Sequence, residues 1–84
     1  MKRIFKSVVP ISGQSCISVP SNGRPEILHV ALQDGVPTVW YSCRPEYHNQ
    51  EMTLQWFGTG HESPTNCWHL GTIQQDGIVW QLHE

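Results

Sequence analysis

Apolar and polar residues alternate along this chain with a period of two, and Gly or Pro cuts the alternation every several residues. Successive side chains of an extended strand point to opposite faces, so a period-two pattern describes strands that bury one face of a sheet. No stripe at helical spacing competes with it. Val, Ile, Thr, Trp, Tyr and Phe fill the alternating runs, and Ala occurs once in the whole chain, a content that suits strands and not helices. The pattern predicts strands over 2–9, 14–19, 26–33, 36–43, 51–58, 67–75 and 78–83. Pro10, Pro20, Pro25, Pro45 and Pro64 fall between them and Pro37 stands at the head of one, where a residue without an N–H is tolerated. The stretch 44–49 also admits a short helical turn. With 84 residues and almost no linker, the expected architecture is one all-β domain over 1–84, a small sandwich or open barrel of about seven short antiparallel strands.

Two dipeptides fix hairpins. Asp34-Gly35 and Asp76-Gly77 each join two strand-like runs, and Asp-Gly is a strong hairpin signal because Gly accepts positive φ. The register remains open at the first turn. A two-residue loop pairs Val30 with Val39 and Leu28 with Tyr41 and sets His29 beside Trp40; a three-residue loop pairs Leu28 with Trp40 and His29 with Val39. At the second turn a three-residue loop gathers Trp68, Leu70, Thr72, Trp80 and Leu82 on one face, whereas a two-residue loop splits them, so the bulged register is expected there. The neighbouring strand offers Met52, Leu54 and Trp56 inward, with Thr53 and Gln55 outward. Lys2, Arg3 and Lys6 guard one sheet edge. The last strand has a single charge, at its end, and is read as an edge that a homo-oligomer would pair or cover.

Composition limits the chemistry. Five Lys+Arg against seven Asp+Glu give a net charge of −2 with His neutral, the wrong balance for a protein that neutralises phosphates along a duplex. Three cysteines cannot close a disulfide set, there is no CxxC, and the start MKRIFKSVVPIS lacks an apolar run of signal-peptide length, so a soluble, reduced, intracellular protein without a membrane span is expected. No cofactor fingerprint occurs.

Phe57-Gly58-Thr59-Gly60-His61 is the most suggestive local segment. Two glycines around a Thr let backbone N–H groups converge on an anion, with a hydroxyl and an imidazole to help; the competing reading is a strand end turning into a loop. The segment is neither a phosphate-binding loop with GK[ST] nor a dinucleotide fingerprint. An outward Trp40 near His29 and Arg44 would suit stacking on a base or packing at a subunit interface, and a core position is the alternative. Trp56, Trp68 and Trp80 share parity with Leu and Met and are read as core. The candidate ligand-binding residues are therefore Gly58, Thr59, Gly60, His61, Trp40 and Arg44. Cys67 and His69, with His61 or His83, fall short of the convergent ligand set that zinc needs. The Cys–His pairings and the carboxylates Glu46, Glu51 and Glu62 show no catalytic spacing, so no catalytic residue and no metal site is assigned.

Glu26-Ile27-Leu28-His29-Val30, then Asp34-Gly35-Val36-Pro37, Trp40, the FGTGH block, Gly71-Thr72 and the ending Trp80–Glu84 together resemble a family of short bacteriophage proteins, a domain of unknown function, over nearly the whole chain. The chain departs from that pattern in the loop Glu62-Ser63-Pro64-Thr65-Asn66. The resemblance implies a phage origin and residence in the host bacterial cytoplasm; it implies no activity. With that origin, the expected function is that of a non-enzymatic accessory protein without cofactors, an oligomeric sponge sequestering a small anionic, nucleotide-type host-defence signal. An inhibitor of a host protein and a minor virion or structural protein are the alternatives. Duplex nucleic acid and membranes are not expected partners.

Overall fold

The computed structural model describes residues 2–58, 60 and 68–84, and within them the chain is all β. In chain order the strands are β1 (Arg3–Val8), β2 (Gln14–Pro20), β3 (Glu26–Gln33), β4 (Val36–Cys43), β5 (Asn49–Gly58), β6 (His69–Gln75) and β7 (Ile78–His83). They form a three-stranded sheet in the order β1-β4-β3 and a four-stranded sheet in the order β2-β5-β7-β6, with every pairing antiparallel. The two sheets stay separate, so the architecture is a sandwich and not a closed barrel. Residues 44–48 hold a turn, closed by Tyr47 N–H donating to the Arg44 carbonyl at 3.0 Å, and no helix. Among the described residues no helix is long and apolar enough to cross a membrane.

Alternation accounts for the core. From the three-stranded sheet Val30, Val39, Tyr41 and Cys43 point inward; Ile17, Val19, Met52, Leu54, Trp56, Ile73 and Leu82 meet them from the other sheet. Trp56 carries its one polar atom into this core and donates from Nε1 to the Val9 carbonyl at 2.8 Å, as a buried indole must. Gly71 of β6 lies against β3 so closely that a Cβ there would stand 2.6 Å from Val30 Cβ.

Both hairpins turn through two residues. Asp34 and Gly35 have φ 52 and 79, and Asp76 and Gly77 have φ 53 and 77, the left-handed pair of a type I′ turn whose twist matches that of the flanking strands. At the first, Val30 faces Val39 and His29 faces Trp40, which settles the register left open by the sequence; Leu28 is then bulged out, so Ile27 and not Leu28 faces Tyr41. At the second the expected three-residue register is wrong. Gln75 faces Ile78, Ile73 faces Trp80 and Gly71 faces Leu82, with a bulge at Leu70. The bulge supplies two residues against one of the partner strand and resets the parity downstream, so Leu70 still packs on the core without the turn having to change. Trp68, expected inside, is 63% exposed. The last strand is no edge either, since β7 runs between β5 and β6.

Candidate functional site

The outward face of the three-stranded sheet carries the groups most suited to a ligand. Because Val39, Tyr41 and Cys43 point into the core, Thr38, Trp40 and Ser42 point out. Trp40 sits in the middle strand with Lys6 as its partner on β1 and His29 on β3. Its indole is half buried and meets the His29 ring at 5.4 Å between centroids, tilted by 45°. The sequence reading of an outward Trp40 beside a histidine therefore describes its actual position.

At the end of this face remote from the Asp34-Gly35 turn, two crossovers between the sheets touch. Ser21 N–H donates to the His48 carbonyl at 3.2 Å and Arg44 N–H to the Pro20 carbonyl at 2.7 Å. These bonds hold the segment after β2 against the segment after β4. The result is a cleft of about 130 Å³ lined by Lys2, Ser21, Asn22, Arg24, Glu26, Ser42, Cys43 and Arg44. Three of the five Lys and Arg residues of the chain thus line one small cleft. Its one carboxylate, Glu26, is engaged from two sides: Ser42 Oγ donates to it at 3.3 Å and Lys2 Nζ lies 3.8 Å away. Arg24 is paired with Glu84, with Nη2 2.6 Å and Nε 2.8 Å from the same oxygen, and its guanidinium lies 4.2 Å above the Trp68 ring. Arg44 is exposed. Nearby, Glu46 is held below the usual carboxylate range, first by a hydrogen bond from its own backbone N–H, with the Arg44 charge adding to it.

The outward face of the four-stranded sheet differs in charge. Glu51 is the one Asp, Glu, Lys or Arg on its strands, and its most crowded feature is a pair of histidines. His69 and His83 face each other at 5.4 Å between ring centroids, with Phe57 edge-on to His83 at the same distance. His69 Nε2 lies 2.7 Å from Gln81 Oε1, which also accepts from the Thr72 hydroxyl at 2.7 Å. Burial, with His69 adding to it, pushes His83 below the ordinary imidazole range, and its Nδ1 is buried without a hydrogen-bond partner.

The six residues singled out by sequence do not form one site. Trp40 lies on the outward face of the three-stranded sheet, and Arg44 lines the cleft at the end of that face. Gly58 ends β5 in the other sheet, buried and paired with Trp80. Gly60 has φ 89, the left-handed conformation expected where a strand turns into a loop. Thr59 and His61 lie outside the described residues, as do Cys67 and Glu62. Among the described residues no three His, Cys, Asp or Glu side chains converge as a metal site would require. Sequence reasoning missed Lys2, Ser21, Asn22, Arg24 and Ser42. The cleft needs β1 beside β4 and the two crossovers in contact, and no local pattern encodes either.

No curated protein and no solved structure matches this chain. A family model described as a domain of unknown function, DUF7352, matches residues 1–84. The chain accordingly belongs to the DUF7352 family.

Proposed function

We propose that this protein is a non-enzymatic binding protein for a small anionic ligand of nucleotide type, with the base against Trp40 and a phosphate in the Lys2–Arg24–Arg44 cleft. One observation carries the reading: the cationic cleft opens on the same sheet face as the outward Trp40. Ser42, which lines the cleft, is two residues from Trp40 on β4, about 7 Å along a strand. A flat ring with a charged group a short tether away fits that spacing, with base–aromatic stacking contributing on the order of 1–3 kcal/mol. The resemblance to short bacteriophage proteins supports an accessory role in an infected bacterium, where a sequestered host-defence signal would be the ligand and an oligomer the sequestering form.

The test is a titration with AMP, followed by tryptophan fluorescence and by native mass spectrometry, which also reads the subunit count. AMP should quench fluorescence and be retained unchanged in mass. Arg44→Ala should weaken it about fivefold or more, and Trp40→Phe should remove the quench, both with unaltered circular dichroism. Equal AMP binding by both variants and the parent would overturn this site. A second reading, inhibition of a host protein, is favoured by exposed Ile4, Val8 and Leu28 beside the same face. It would show as stoichiometric capture of one bacterial protein with no small molecule retained.

A further inference from the structure

We infer that the ligand of this face carries at least two phosphates and lies along β4: a phosphodiester-linked oligonucleotide and not a mononucleotide. The inference rests on the AMP-site reading above and extends it to the other side of Trp40. Lys6 is the register partner of Trp40, yet its ammonium points toward the Asp34-Gly35 turn and donates to Gln33 Oε1 at 2.7 Å. Gln33 itself faces Val36, four residues from Trp40 along β4. The side chain therefore reaches across β4, and Thr38 between them is only 2% exposed although it points outward.

Lys6 stands at the rim of a second hollow, of about 310 Å³, lined with Val8, Gln33, Asp34, Val36 and Thr38 among others. Its partner Gln33 is a neutral amide, so the ammonium charge there is not cancelled by its hydrogen bond. Positive charge thus flanks Trp40 on both sides along one strand. From Thr38, under the Lys6 bridge, to Ser42, in the basic cleft, is about 13 Å at 3.3 Å per residue. One phosphate cannot reach both ends. A chain in which phosphates alternate with bases can, with a base on Trp40 between them. Asp34, beside Lys6, is the opposing charge at this end.

The experiment compares AMP, the linked dinucleotide pApA and the tetranucleotide pA4 on the intact protein, at two salt concentrations. Linked nucleotides should bind about tenfold or more tightly than AMP, with a salt slope steeper by roughly 0.7 for each added phosphate engaged. Lys6→Ala should bring pA4 back to within about threefold of AMP. Asp34→Asn, which keeps a residue tolerant of positive φ in the turn, should tighten pA4 about two- to threefold. AMP binding with no gain for pApA or pA4 would overturn this inference and leave the single-phosphate reading standing. Absence of AMP and pA4 binding alike would overturn the underlying reading. A stable DNA hairpin duplex binding as well as pA4 would also overturn it, since paired and stacked bases do not lie flat on Trp40.

Discussion

At Gly71 a hydrogen atom in place of a side chain sets how closely the sheets approach. A Cβ at this position would meet Val30 Cβ and Cγ2, each at 2.6 Å, and Val30 is a buried, β-branched residue with little freedom to turn away. Gly71→Ala should therefore cost about 1–3 kcal/mol by overpacking. Val30→Ala in the same chain removes the Cγ2 contact but not the Cβ contact, so relief is partial. Urea melts of the two single variants and the double variant check this. The double should lose less than the sum of the singles, and strict additivity would show that the two residues are not coupled. Nothing in the local sequence shows why this position takes a glycine. Gly77 was legible because its φ requirement is local, whereas the crowding at Gly71 is imposed by a strand some forty residues away.

Among the elements, the strands themselves were the most legible. β3, β4 and β7 have the expected bounds to the residue, and the inward set Met52, Leu54 and Trp56 is buried as expected. Register was harder, because a bulge such as Leu28 or Leu70 changes parity inside a strand without a Gly or Pro to announce it. Trp68 was misread for a different reason: it precedes β6, beyond the end of the sandwiched strand, and its ring lies under the Arg24 guanidinium and not in the core. The same hairpin carries a pH dependence. Burial, then the neighbouring His69, holds the folded His83 below the unfolded imidazole range, so the unfolded chain takes up its proton first as the solution is acidified. The contribution is full above the unfolded value near 6.5 and declines as pH falls through the folded value. The urea midpoint should accordingly fall between pH 8 and pH 5, and His83→Asn should flatten that part of the profile. An unchanged profile in the variant would assign the dependence to other groups.

For the whole molecule, fold class followed from composition and period, while the grouping of cations did not. Lys2, Lys6, Arg24 and Arg44 are scattered between residues 2 and 44 of the chain, and only the β1–β4 pairing and the two joined crossovers bring them to one side of the sandwich. The two broad sides, on a body of about 40 × 30 × 17 Å, therefore differ in where their cations stand: four Lys and Arg gather on one side, among Glu26, Asp34 and Glu84, and the strands of the other carry none. A charged surface meets one side of a thin plate at a time and responds to the local field more than to the total. On a sulfonate resin at pH 7.5, above the sequence pI of about 6.2, the protein should be retained at low salt, lying with Trp40 toward the bead. Lys6→Gln and Gln74→Glu each remove one unit of net charge, from opposite sides. Only the first should elute distinctly earlier, and coincident elution of the two would mean that the matrix reads the total. To its surroundings, a plate of this kind offers ammonium and guanidinium groups from in front and amides and imidazoles from behind.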